Sequence, residues 1–306
     1  MGAFEIIGGK KLKGEITPQG AKNEALQVIN AVLLTDQKVI INNIPDIIDV
    51  NKLIDLLKTL GVKIKKLKKG SFSFQADNID VDYMTSDEFK AKGASLRGSI
   101  MVVGPLLSRF GKGYIPKPGG DKIGRRRLDT HFIGFQKLGA AFDYNPESNF
   151  YKAHSPKGRL KGCYMLLDEA SVTGTANIIM AAVLAEDITT IYNAACEPYI
   201  QQLCEMLNSM GAEISGVGSN KIIIKGVKKL NGCEHTILPD MIEIGSFIGL
   251  AAMTQSDITI KNVAYEKLGM IPEVFKRLGI KLERINDDIH IPSQKNYEIE
   301  SFIDGS

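Results

Sequence analysis

The sequence predicts an α/β fold assembled from a repeated helix–strand–helix–strand–strand unit, and three observations carry that prediction. First, four amphipathic stretches each end in a Leu-Gly or Met-Gly step that leads into a short strand-like segment. They are Leu60-Gly61-Val62-Lys63-Ile64, Leu138-Gly139-Ala140-Ala141-Phe142, Met210-Gly211-Ala212-Glu213-Ile214 and Leu278-Gly279-Ile280-Lys281-Leu282. Glycine suits the left-handed residue that ends a helix, so each step reads as helix, C-cap, strand. Second, the four glycines lie 78, 72 and 68 residues apart (61 to 139, 139 to 211, 211 to 279). A near-constant period of this length marks a repeated structural unit. Third, the copies agree beyond the glycine, with an upstream apolar helix, a strand and a second helix in the same order.

In the first copy these elements fall at 23–34, 38–41 and 47–60. In the third they fall at 172–185, 188–192 and 197–210, and in the fourth at 242–253, 258–260 and 264–278. Leu53, Leu56, Leu57 and Leu60 recur at three- and four-residue spacing, so one face of the second helix is buried. A β-rich run such as Lys221-Ile222-Ile223-Ile224 closes the unit.

The N-terminal Ile6-Ile7-Gly8-Gly9-Lys10-Lys11-Leu12-Lys13-Gly14 is similar to residues 223–232, which end the third unit, and Arg159-Leu160-Lys161-Gly162 is a second echo. The chain thus opens with the tail of a unit, and a circular arrangement is expected in which the N-terminal strand completes a repeat near the C-terminus. Residues 298–306 stop where a fifth unit would start. The expectation is an incomplete version of a longer protein.

Composition excludes several classes. A length of 306 residues fits two domains, and a net charge of +3 is too mild to imply nucleic acid. Cys163, Cys196, Cys204 and Cys233 show no C-x-x-C pairing, so a reduced cytoplasmic interior is expected rather than a disulfide or zinc framework. The four histidines are scattered, with no metal-binding spacing. No apolar run approaches the ~18 residues that cross a bilayer, so no membrane partner is expected, and the N-terminus has no secretory h-region. The cluster Lys63, Lys65, Lys66, Lys68 and Lys69 lacks interleaved aromatics and reads as a solvated strand edge, not a nucleic-acid patch.

Two segments carry chemistry. Thr17-Pro18-Gln19-Gly20-Ala21-Lys22-Asn23-Glu24-Ala25-Leu26 is a turn opening a helix, where backbone N–H groups and the Lys22 ammonium can hold phosphate or carboxylate. From this segment alone, an ordinary capped helix with a surface lysine is the favoured reading. Residues 111–131 replace the short turns of the other units with a Gly/Pro-rich run dense in cations, and Asp121 sits among them between Gly120 and Lys122. Such a run suits either a lid whose cations clamp a diphosphate or a solvated loop.

Certain words are more specific: Gly20-Ala21-Lys22-Asn23-Glu24-Ala25-Leu26, Leu96-Arg97-Gly98-Ser99-Ile100, Gly104-Pro105-Leu106, Pro118-Gly119-Gly120 with Ile123-Gly124, Asp129 with His131, and Leu238-Pro239-Asp240. Through them the chain resembles, end to end, the enolpyruvyl transferase family, in particular its branch acting in peptidoglycan precursor synthesis. The resemblance implies an inverted α/β barrel pair, two domains of three βαβαββ-type repeats each, about four of the six being present here. Six repeats at ~70 residues make about 420 residues. It divides the chain into a complete three-repeat domain, 22–230, and a partial second domain, 1–21 plus 231–306.

The implied reaction needs no cofactor. The 3′-hydroxyl of UDP-N-acetylglucosamine adds to C2 of phosphoenolpyruvate while a proton goes to C3, and the ketal then loses phosphate and a proton, leaving an enolpyruvyl ether. The resemblance places phosphoenolpyruvate on Lys22 and Asn23, with Lys22 and Asp121 as catalytic groups. Arg97 supplies a second cation and joins the UDP-N-acetylglucosamine set with Arg126, Arg127, Leu128, Asp129, Thr130, Ser171, Val172 and Thr173. Departures are visible. Asp121 stands where most of the family has Cys, Glu169 replaces a nucleotide-contacting Lys, and Met241 replaces an Arg, leaving Asp240 and Glu243 as weaker candidates. The family's general base and remaining phosphoenolpyruvate arginines fall beyond Ser306, so the 306-residue chain alone is expected to be inactive. The shikimate-pathway transferase, with Gly-Ser-Lys-Ser at the first helix, and a catalytically dead nucleotide-sugar binding module remain the alternatives. Oligomeric state is left open.

Overall fold

A computed structural model describes residues 3–115, 128–145 and 150–299. The chain forms two compact units, Lys22–Ile237 and Met1–Ala21 with Leu238–Ser306.

The Lys22–Ile237 unit holds three blocks. The first runs through helix Lys22–Ala31, a 3-10 turn Val32–Leu34, strand Val39–Asn42, helix Ile48–Thr59 and strands Lys63–Lys68 and Ser71–Gln75. The second has a 3-10 segment Arg97–Val102 running into helix Val103–Phe110, then strand Lys112–Ile115, helix Asp129–Lys137 and strands Ala141–Asn145 and Phe150–His154. The third has helix Val172–Ala182, strand Ile188–Tyr192, helix Pro198–Ser209 and strands Glu213–Ser215 and Lys221–Lys225. Each block's strands form their own sheet.

Two sheets borrow an edge strand from the preceding block. Tyr164–Leu166, which lies after the second block, pairs in parallel with Ile188–Tyr192 of the third. Glu234–Thr236, which lies after the third, pairs in parallel with Val39–Asn42 of the first, with Glu234 opposite Ile40. That pairing closes the unit on itself. It is reinforced by a buried pair, His235 Nε2 and Glu24 Oε1 at 2.8 Å.

In the Lys22–Ile237 unit the first helix of each block lies inside and the sheets lie outside. Val172–Ala182 buries every residue from Gly174 to Ala182, and such all-round burial belongs to an interior helix. Lys221–Lys225 instead buries only Ile222 and Ile224, so its sheet has one packed and one solvated face. At the far ends of the interior helices two arginines collect backbone carbonyls. Arg109 donates to Leu33, Thr35 and Ala76, and Arg159 to Leu184, Ala185 and Val227. Cations are favourable at these carbonyl-rich termini.

The four repeat glycines all adopt positive φ: Gly61 97°, Gly139 91°, Gly211 99° and Gly279 79°. Each closes its helix with the same pair of bonds. In the first copy Gly61 N–H donates to Lys58 O at 3.1 Å and Val62 N–H to Leu57 O at 3.2 Å, and the other three repeat the pattern. This double closure satisfies carbonyls that a helix end leaves orphaned. The lysine-rich segment is the edge strand Lys63–Lys68, mostly exposed, as its composition predicts.

The second unit contains the fourth block. Strand Lys13–Ile16 pairs in parallel with Asp257–Ile260, and Asp288–Ile291 and Glu283–Ile285 continue the sheet beyond it. The N-terminal strand thus completes the fourth block, as the circular reading expects. One expected element differs. The helix expected at 264–278 is a 3-10 turn Tyr265–Lys267 and a separate helix Ile271–Arg277. Gly269 at φ 60° leaves helical geometry between them, and Pro272 suits only the first turn of the second helix. Helix Met241–Met253 packs Ile244, Ile248, Ala251 and Ala252 against the sheet and leaves Ile242, Leu250 and Met253 exposed.

On this sheet His290 faces two carboxylates, Glu283 at 2.9 Å and Asp257 at 3.5 Å. The Glu283 hydrogen bond raises the imidazole pKa above 6.5; burial opposes it, and Asp257 adds to the rise. A raised folded-state pKa contributes stability in full below the unfolded value, lost as pH climbs through the folded one. Hydrogen exchange of the 257–260 and 288–291 amides is therefore expected to accelerate as pH rises above 6.5, beyond the intrinsic chemical rate. His290→Ala should remove that extra pH dependence, and an unchanged profile would contradict the pairing.

Candidate active site

Three helical segments begin at one cleft. They start at Lys22, Arg97 and Val172, each 75 residues from the last, one per block. The cleft encloses about 910 Å³ and its lining residues all belong to the Lys22–Ile237 unit. A helix start presents N–H groups that have no acceptor within the helix itself and the positive end of its dipole, so three of them at one cleft favour an anion. The opposite, carbonyl-rich ends of the first and third interior helices carry Arg109 and Arg159.

Side chains add charge to this backbone field. Lys22, at the first turn of its helix, reaches Asp49 Oδ2 at 2.5 Å, both side chains being about 40% exposed (44% and 38%). Asn23, one residue on, also lines the cleft, as do Arg97, Lys52, Asp49 and Glu169. Lys52 rests on Ser95 O at 3.3 Å. Ser171 is the N-cap of Val172–Ala182, its Oγ accepting from Gly174 N–H at 3.2 Å. A Cβ on Gly174 would come 2.7 Å from Thr130 Cγ2, so glycine permits the close approach of helix Asp129–Lys137 there.

The structure brings Lys22, Asn23, Arg97, Leu128, Ser171, Val172 and Thr173 together on this cleft. Asp129 is exposed on the first turn of its helix. Thr130 is buried and donates to Glu169 Oε1 at 3.2 Å instead of lining the cleft. Asp121, Arg126 and Arg127 lie outside the described residues. Asp49, Lys52 and Tyr199 come to the cleft from second helices, and no local motif marks them. Gln27, one turn beyond Asn23, is buried on the same wall.

Behind the cleft, Asn177 ties two blocks together. Its Oδ1 accepts from Gly104 N–H at 2.9 Å and its Nδ2 donates to Ile100 O at 3.0 Å. A Cβ on Gly104 would lie 2.3 Å from both Asn177 O and Oδ1. Gly104→Ala is therefore expected to cost on the order of 2–4 kcal/mol, from overpacking and a weakened buried hydrogen bond. Denaturant unfolding measures this, and a loss below about 1 kcal/mol would contradict the packing.

Interior helices wrapped by outer sheets, with helix starts and cations converging on one cleft, define an α/β protein whose cleft electrostatics favour an anion. Residues 6–303 match the family described as EPSP synthase (3-phosphoshikimate 1-carboxyvinyltransferase), and the chain belongs to this family of enolpyruvyl transferases. Among curated proteins it is similar to the UDP-N-acetylglucosamine 1-carboxyvinyltransferases of Bacteroides thetaiotaomicron, 64% identical, and Porphyromonas gingivalis, 62% identical. Each is matched over 306 residues, 100% of this chain and 70% of the relative. Among solved structures, the enolpyruvyl transferase NikO from Streptomyces tendae has the same fold, with a TM-score of 0.79 at 17% identity over 93% of this chain and 66% of that one. EPSP synthase from Acinetobacter baumannii has a TM-score of 0.66 at 20% identity, over 94% of this chain and 66% of that one.

Proposed function

We propose that the protein to which these 306 residues belong transfers the enolpyruvyl group of phosphoenolpyruvate to the 3′-hydroxyl of UDP-N-acetylglucosamine, releasing phosphate. The observation that carries this reading is the convergence of three helix starts with Lys22 and Arg97 on one cleft. Both substrates are polyanions, and fixed N–H dipoles with positioned cations stabilise charge as it develops in the transition state. Identity of 62–64% with relatives named for this activity supports the choice of acceptor.

In this reading Lys22 and Asn23 hold phosphoenolpyruvate, with Lys22 neutralising its phosphate as the bond to C2 breaks. Arg97, Leu128 and the Ser171–Thr173 strip hold the nucleotide sugar, together with Arg126, Arg127, Asp129 and Thr130. Asp121 delivers the proton to C3. The buried placement of Thr130 makes its contribution one of backbone or of packing against Glu169. The chain then works in the cytoplasm on a peptidoglycan precursor.

Calorimetry on the 306-residue chain tests the acceptor. UDP-N-acetylglucosamine is expected to bind and 3-phosphoshikimate, the acceptor in the family's description, to give no heat. The reverse result would move the chain to the shikimate-pathway reaction. Binding to the chain with no turnover by the native protein would make it a nucleotide-sugar binding module.

A further inference from the structure

Of the hydroxyls at the start of helix Val172–Ala182, two are committed to the fold. Ser171 caps the helix, and the buried Thr175 Oγ1 accepts from Ala195 N–H at 3.1 Å. Thr173 alone of the three is exposed, on the cleft wall. Behind it stands His131, 2% exposed, with Nε2 3.4 Å from Thr173 Oγ1, at the long end of hydrogen-bond range.

The orientation of this contact can be deduced. Gly104 N–H needs an acceptor and Ile100 O needs a donor, so the Asn177 amide can sit only one way, with Oδ1 toward Gly104 and Nδ2 toward Ile100. The second hydrogen of Nδ2 then points at His131 Nδ1, 3.0 Å away. Nδ1 must accept, and in a neutral imidazole the proton is then on Nε2. Burial first, and the nearby Arg97 charge second, lower the His131 pKa to about 4, so the ring is neutral at physiological pH. Nε2–H therefore donates to Thr173 Oγ1. The threonine's own hydrogen is left to point away from the imidazole, and among the described residues the hydroxyl has no other partner.

We propose that His131 is a positioning residue that holds the Thr173 hydroxyl as a donor to an acceptor oxygen, phosphate or carbonyl, of the nucleotide bound in the cleft. The inference rests on the nucleotide-sugar reading above for its ligand and on hydrogen-bond geometry for its mechanism. A chain of bonds runs from Ile100 and Gly104 through Asn177 and His131 to Thr173, so the packing of the second block against the third fixes which way one cleft hydroxyl faces. Such a donor costs no reorganisation when the ligand arrives.

Two measurements test it together. Nitrogen NMR of the free chain is expected to show His131 as the neutral Nε2–H tautomer from about pH 5 to about pH 8; an Nδ1–H tautomer overturns the proposal. Calorimetry with UDP-N-acetylglucosamine is expected to show Thr173→Val weakening binding about five- to tenfold, as one lost hydrogen bond does. Thr173→Ser should bind like the wild type. His131→Phe, which keeps a ring but has no N–H, should lose about the same factor as Thr173→Val, and the double variant no more than either alone. Multiplicative losses, or wild-type affinity in Thr173→Val, overturn the link. If His131→Phe fails to fold, the tautomer and the Thr173 pair still decide. A wild-type chain that ignores the nucleotide sugar overturns the functional reading and the ligand half of this one, while the tautomer alone then decides the His131–Thr173 bond.

Discussion

Lys22→Ala is expected to lower turnover of the native protein by about 10²–10³-fold, the loss typical of removing one preorganised charge-stabilising group. The ammonium stands at a helix start, so substituting it removes the local charge while leaving the N–H groups and the dipole in place. Asp49, 2.5 Å away, would then face the substrate phosphate without its counter-ion, and that repulsion adds to the loss. Lys22→Arg should recover little, because a planar fork does not replace a compact ammonium. UDP-N-acetylglucosamine affinity should change less than about threefold, since its proposed strip lies at the other two helix starts. Turnover of Lys22→Ala within about tenfold of the wild type would remove Lys22 from the charge-stabilising role.

Asp121→Asn is expected to abolish turnover with nucleotide affinity nearly intact. A carboxyl serves as an acid near neutral pH where burial or neighbouring negative charge raises its proton affinity. Phosphoenolpyruvate brings that charge, so the acid should form only when substrate is bound. The amide keeps the size and loses the proton. Asp121→Cys should retain activity, since it restores the residue common in the family, and should gain sensitivity to thiol-directed epoxides that a carboxylate resists. Near wild-type turnover by Asp121→Asn would assign the proton to another group.

Much of the fold is legible because its repeat is written in local chemistry. Four Leu/Met-Gly steps became four identical helix closures, since a positive φ at that point admits glycine at low cost and little else. The lysine-rich strand was readable as an edge for the same kind of reason: its composition suits only a solvated rim. The 264–278 segment reads as one helix because its apolar spacing persists across Gly269, while the break depends on a single left-handed residue. Closure of the first unit by Glu234–Thr236 on Val39–Asn42 joins residues almost 200 positions apart, which no local pattern encodes.

The site divides in the same way. Lys22, Asn23, Arg97 and Ser171–Thr173 are readable because each sits at a helix start that the repeat places on one side of the unit. Asp49 and Lys52 reach the cleft from a second helix whose outward residues look like any solvated face, and Tyr199 from another second helix in which it reads as a core residue. Thr130 shows the limit of carrying roles by motif. It stands next to Asp129 in sequence, but its helix turns it inward onto Glu169, where the family pattern has a lysine. His131 belongs to a specific sequence word, yet its use becomes visible only when Asn177, 46 residues on, fixes its tautomer.

The most direct measurement is product analysis by mass spectrometry after the native protein is incubated with phosphoenolpyruvate and either UDP-N-acetylglucosamine or 3-phosphoshikimate. The expected result is the enolpyruvyl ether of the nucleotide sugar with an equal amount of phosphate released, and none of the shikimate product. Enolpyruvyl transfer to 3-phosphoshikimate instead, or to neither acceptor, would contradict the proposed reaction.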